Sequence, residues 1–148
     1  MALRNIVKEG DPILRKTSRT VLEVDDRIRQ LLDDMIETMR HADGCGLAAV
    51  QVGILKRICV VELDDKVYEF INPVIIEKSG EQFEQEGCLS IPGVYDTTCR
   101  PMEVTVRAQD RNGETYTVSG SGLLARAFCH EIDHLDGILF TDRTKGTN

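Results

Sequence analysis

The chain has 148 residues, 41% of them hydrophobic, with 25 acidic against 18 basic side chains and a formal net charge of −7. That length suits one domain with a buried core, and a single catalytic domain over residues 1–148 is expected. A negative chain without a basic cluster is a poor neutraliser of phosphate, which argues against general nucleic-acid binding. No apolar run reaches the roughly 18 residues of a membrane span, nor the apolar core of a signal peptide, so a soluble cytoplasmic protein is expected.

In chain order, Ile28, Leu31, Leu32, Met35, Ile36 and Met39 recur at helical spacing opposite Arg29, Asp33, Glu37 and Arg40. This predicts an N-terminal amphipathic helix over residues 25–42 whose role is packing. Gly44-Cys45-Gly46 follows; its glycines either stop that helix or let the main chain approach another group closely, and both readings are compatible. Residues 57–63, 67–71, 74–76, 103–108 and 115–118 read as strands, with Asp64-Asp65 and Arg111-Asn112-Gly113 as turns. Near the C-terminus, Gly120-Ser121-Gly122 reads as a loop that starts a second helix. Leu123, Leu124, Ala127, Phe128, Ile132 and Leu135 fill its apolar positions, and Gly137 suits a left-handed cap. The expected architecture is α+β, with mixed or antiparallel strands wrapped around a central metal-binding helix.

That second helix contains His130-Glu131-Ile132-Asp133-His134. Residues i and i+4 share a helix face about 6 Å apart along the axis, so both imidazoles can ligate one cation, with Glu131 beside it as a base for metal-bound water. The plain alternative is a surface helix with two solvated histidines. A catalytic site needs a third protein ligand. A downstream Glu of the thermolysin kind is missing from the tail, and Phe140 stands where a metzincin would place its third His. The upstream candidates are His41, Cys45, Cys59, Cys88, Cys99 and Cys129. Cys59 lies in an apolar strand-like run, and Cys129 points about 100° away from His130 on the helix. Cys88 sits in Glu86-Gly87-Cys88-Leu89-Ser90-Ile91-Pro92-Gly93, whose glycines and proline permit close backbone approach. An odd number of scattered cysteines also suits a reducing compartment with one thiol in metal work.

Three segments together resemble the motifs of the peptide deformylases: Gly44 to Gln51 is similar to GxGLAAxQ, Glu86 to Ser90 to EGCLS, and His130 to His134 to HExDH. Asn5-Ile6-Val7 and Asp11 to Arg15 resemble the family's N-terminal stretch. The resemblance implies removal of the formyl group from the N-terminal formyl-methionine of nascent polypeptides, releasing formate. It implies Cys88, His130 and His134 as ligands of one divalent metal, ferrous iron in the cell with zinc or nickel able to replace it. Metal-bound hydroxide would attack, Glu131 would serve as general base and then acid, and the Gln51 amide and Leu89 N–H would face the developing oxyanion.

Gly44 and Gly46 are expected to admit the substrate backbone, and Leu123, Arg126 and Ala127 to line the methionine pocket. Arg126 departs from the usual apolar residue; its stem would wall the pocket while the guanidinium reaches water. Arg100 is a candidate contact for the peptide backbone or carboxylate, against the plainer reading of a solvated arginine. Cys45 and Cys129 also depart from the family pattern and are expected to bring extra thiols near the metal, making the site more sensitive to oxidation. The resemblance implies formyl-methionyl peptides as partners, and any ribosome contact is expected to be transient and local. Longer members carry a further C-terminal helix used in ribosome docking by some, and this tail stops at Thr147-Asn148. Rival readings are an amidase for another acyl group, opposed by the two non-peptidase motifs, and a structural metal domain, which would want four closed ligands.

Overall fold

Asp25 accepts the Ile28 N–H at 3.1 Å and so starts α1 (Asp26–His41), the helix predicted from the apolar stripe. Ile28, Leu31, Leu32, Met35 and Met39 are buried along it. A computed structural model describes residues 2–144; the predicted end of the tail, Thr147-Asn148, lies outside them. Seven strands follow: β1 (Gly46–Ala48), β2 (Ile58–Leu63), β3 (Lys66–Ser79), β4 (Gln82–Cys88), β5 (Ile91–Arg100), β6 (Glu103–Gln109) and β7 (Thr115–Ser121). Five form an antiparallel sheet in the order β1-β2-β3-β6-β7, and β4 pairs with β5 as a separate antiparallel hairpin. The second helix, α2 (Leu123–Leu135), packs against β1, β2, β5, β6 and β7.

The strand β2 explains how the layers assemble. Because side chains alternate along a strand, Cys59 and Val61 join the core under α2, while Ile58 and Val60 join the core under α1. Its unbroken apolar run is therefore buried on both faces. On the α2 side Phe128 lies between Phe70 and Tyr68, with ring centroids 4.9 and 5.1 Å away in edge-on arrangements.

Two sequence expectations are corrected. The predicted strands at 67–71 and 74–76 are one strand, bent where Asn72 takes φ 53° before Pro73. The Asn72 side chain carries the strand through the break: its Oδ1 accepts the Val21 N–H at 2.8 Å, and its Nδ2 donates to Val21 O at 2.9 Å and Gln109 Oε1 at 2.8 Å. Gly120 and Ser121 belong to β7, opposite Val104 and Glu103, so only Gly122 remains to start α2.

The β4–β5 hairpin was not foreseen, because its polarity is inverted. Gln82, Glu86, Thr98 and Arg100 point inward and are buried, while Phe83, Val94 and Tyr95 face out. The Asp64-Asp65 turn agrees with expectation: φ values of 53° and 64° provide the left-handed pair that a two-residue hairpin loop requires.

Candidate active site

Nine of the thirteen residues of α2 are buried, and its inner face presents His130, Glu131 and His134. The turn between β4 and β5 brings Cys88 to the same point, so the ligand atoms of Cys88, His130 and His134 all lie within 4.8 Å of one another. Cys88 Sγ is 3.4 Å from His134 Nε2, and the two imidazoles stand edge to face with centroids 5.0 Å apart.

The Nδ1–H of His130 donates to Glu86 Oε1 at 2.9 Å, which leaves Nε2 with its lone pair free. Glu86 is held in turn by Arg100, whose Nε and Nη2 each donate to it at 3.0 Å, and by the Thr98 hydroxyl at 2.6 Å. Burial works against the Glu86 carboxylate, but His130 and Arg100 outweigh it and bring its pKa down to about 2.

The cluster fits a divalent cation on three observations. A soft thiol and two imidazoles form a donor set suited to zinc, iron or nickel. His130 carries the outer carboxylate partner usual for a metal-bound histidine. His134 is fully buried and its Nδ1 has no hydrogen-bond partner among the described residues, while burial drives its pKa well below the ordinary value, which favours the neutral form a ligand needs.

Glu131 is 4% exposed, with Oε2 at 3.9 Å from His130 Nε2 and Oε1 buried without a hydrogen-bond partner among the described residues. Burial is the largest influence on it and pushes its pKa up to about 7. Gly46 makes room for this carboxylate: a Cβ there would collide with the Glu131 side chain, coming within 2.8 Å of Cδ. A Cβ on Gly44 would come within 2.6 Å of Leu89 Cδ1. Both glycines therefore have a packing reason within the chain, beyond the backbone access expected of them.

Gln51 lies in the short 3-10 helix Ala49–Val52 and is 1% exposed, so it is no surface loop residue. Its Oε1 accepts the Ala48 N–H at 2.9 Å, which turns Nε2 toward Ser90 Oγ at 3.1 Å and Cys88 Sγ at 3.6 Å. Leu89 occupies the turn between β4 and β5. An N-terminal segment buttresses both pieces, with Val7 N–H donating to Gln51 O at 2.7 Å and Glu9 N–H to Ser90 O at 2.8 Å.

Gln51, Cys88, Leu89, His130 and Glu131 line a cleft of about 170 Å³ with Gly44, Cys45, Gly46, Leu123, Arg126 and Ala127 around it. A larger hollow of about 750 Å³ over β3, β6 and β7 holds none of the motif residues.

Two further expectations change. Arg100 is not in the cleft: it is 3% exposed, and its guanidinium is committed to Glu86 and Asp133, so it is neither a peptide contact nor a solvated arginine. Arg126 lines the cleft as expected, and its Nη1 donates to Gln85 O at 3.0 Å in an exposed bond that ties α2 to β4. Cys129 is buried with the core side chains, and burial pushes its thiol up to about 11, so only Cys45 adds a thiol to the cleft. Glu86, Ser90 and Asp133 lie within the EGCLS- and HExDH-like segments and Thr98 outside them, and residue spacing alone signals no role for any of the four.

The family model of polypeptide deformylases matches residues 3–148. Among curated relatives, the peptide deformylase of Acetivibrio thermocellus is 59% identical over 143 residues, covering 97% of this chain and 84% of the relative. That of Alkaliphilus metalliredigens is 56% identical, covering 97% of each chain. The crystal structure of peptide deformylase from Thermotoga maritima superposes with a TM-score of 0.94 at 39% identity, covering 97% of this chain and 98% of that one. The Synechococcus elongatus enzyme, solved in complex with actinonin, gives a TM-score of 0.94 at 44% identity, covering 97% and 79%. With the sequence, the fold and the cluster of Cys88, His130 and His134 all in agreement, the chain belongs to the polypeptide deformylase family.

Proposed function

We propose that this chain hydrolyses the formamide of N-terminal formyl-methionine on nascent polypeptides by means of Cys88, His130, His134, Glu131, Gln51 and Leu89. Membership of a family of metal-dependent hydrolases that remove the N-formyl group from nascent peptides supports the reaction. The observation that carries the residue assignment is the convergence of one sulfur and two ring nitrogens beside a buried carboxyl whose pKa lies near neutrality.

Cys88, His130 and His134 would hold the cation, which we read as ferrous iron in the cell, with zinc or nickel able to take its place. When bound, the cation supplies an acidified water at neutral pH and polarises the formyl carbonyl. Glu131 accepts the proton of the attacking water and returns it to the departing amine, work for which a carboxyl near pH 7 is well matched. Gln51 Nε2, oriented by the Ala48 N–H, and the Leu89 N–H donate to the oxygen on which charge develops. The small cleft, with Leu123, Arg126 and Ala127 on its α2 side and Gly44 and Gly46 opposite, takes the first side chain of the peptide.

We further read residues 1–148 as one catalytic domain working in the cytoplasm with at most a transient ribosome contact; no helix among the described residues is long and apolar enough to cross a membrane. The test is formate release from formyl-Met peptides, with acetyl-Met peptides as the comparison, on protein purified without oxygen and analysed for metal. Glu131→Gln should lower kcat by at least a hundredfold while metal content is kept. Full activity in that variant, or equal cleavage of acetylated peptides, would overturn the reading.

A further inference from the structure

We propose that Phe140 is a positioning residue for the metal centre, holding the His130 ring in the plane from which its Nε2 reaches the site. The proposal rests on the reading of Cys88, His130 and His134 as ligands. Phe140 is 1% exposed, and its ring stacks on His130 with centroids 6.1 Å apart and planes inclined by only 21°. The hydrogen bond from Nδ1 to Glu86 fixes one edge of the imidazole, yet it leaves the ring free to swing about that bond. A flat apolar wall against one face, with His134 set edgewise at 5.0 Å, removes the swing. Phe140 also belongs to a small buried cluster with Leu14, Ile91 and Leu139 against which Cys88 packs, so the wall behind His130 is continuous with the packing around a second ligand.

The wall is itself anchored. Phe140 opens a 3-10 turn, Phe140–Arg143, in which Asp142 accepts the Leu139 N–H at 3.0 Å and pairs with Arg15. Arg143 donates to Asp133 from Nε at 3.1 Å and Nη2 at 3.2 Å, tying the turn to the stretch of α2 between the two histidines. The position at which a metzincin would supply a third histidine thus carries a ring that orients a ligand without being one.

The test compares Phe140→Leu with Phe128→Leu, a buried aromatic of α2 that packs on Tyr68 and Phe70. Both variants lose core packing, but only Phe140→Leu should weaken metal binding. In chelator competition its Kd for Co2+ should rise about tenfold, and the visible absorption bands of the Co2+-loaded protein should shift. Phe128→Leu should keep wild-type affinity and spectrum. An equal Co2+ affinity and spectrum in the two variants would overturn the proposal. Should Phe140→Leu fail to fold, Phe140→Met is read in the same way. A wild-type protein that binds no divalent metal would bring down the ligand assignment together with this inference; wild-type binding with an unaltered Phe140→Leu brings down this inference alone.

Discussion

Gln51 shows how much of this site depends on single side chains held in one orientation. Its amide has two buried obligations within the chain, to the Ala48 N–H and the Ser90 hydroxyl, and these leave the second Nε2 hydrogen directed to the Cys88 side of the cleft. Gln51→Ala should therefore act twice. Loss of an oxyanion donor is expected to lower kcat on the order of a hundredfold. The unpaired Ala48 N–H and Ser90 hydroxyl should cost about 1–3 kcal/mol of stability. Steady-state kinetics and urea unfolding of the same preparation separate the two, and near-normal turnover would remove Gln51 from the mechanism. From the sequence Gln51 was legible only through its motif, because an isolated Gln is usually solvated. Arg100 was misread for a related reason: nothing local announces that a long charged side chain will meet two carboxylates, Glu86 and Asp133, inside the protein.

At the level of elements, the two helices and the strands with apolar runs were legible, since burial on one or both faces leaves a period in the sequence. The β4–β5 hairpin left no such period. Its inward positions are filled by Glu86, Thr98 and Arg100, whose polar groups satisfy one another behind His130, so the usual hydrophobic alternation is reversed. The N-terminal segment makes a comparable connection to α1. Asp34 is buried and accepts from the Ala2 N–H, from Gln30 and from two nitrogens of Arg4. Burial pushes the Asp34 pKa up, but these donors outweigh it and hold it below 3.8. A carboxylate with a depressed folded-state pKa contributes stability that is present above its ordinary pKa and fades as pH falls through the lower folded value. Asp34→Asn should thus cost about 2 kcal/mol near neutrality. The gap between variant and wild type should narrow as the pH drops below 3.8, as chemical unfolding at a series of pH values will reveal. A gap that does not change with pH would mean that the charge of Asp34 contributes nothing.

For the molecule as a whole, a metal held between β4 and α2, as proposed, would link ligand binding to global stability. The sulfur of Cys88 and the rings of His130 and His134 are drawn from segments more than 40 residues apart, and they meet only when the hairpin is folded over the helix. Metal present at about a thousand times its Kd stabilises the native state by about 4 kcal/mol. At this chain length, that corresponds to roughly 10 °C in Tm. Scanning calorimetry before and after chelation should show a fall of that size, restored by adding back the cation, while an unchanged Tm would argue against a shared metal site.

The sequence by itself determined the chemistry-bearing motifs, the two helices and the apolar strands, because residue spacing maps directly onto helix faces and strand sides. Tertiary structure alone decided that Glu86, Arg100 and Asp133 form a buried charge network, that Gly46 clears space for Glu131, and that Phe140 lies against His130. Those relations join residues distant in sequence, and whether a charge or a ring is solvated or paired depends on what the fold packs beside it.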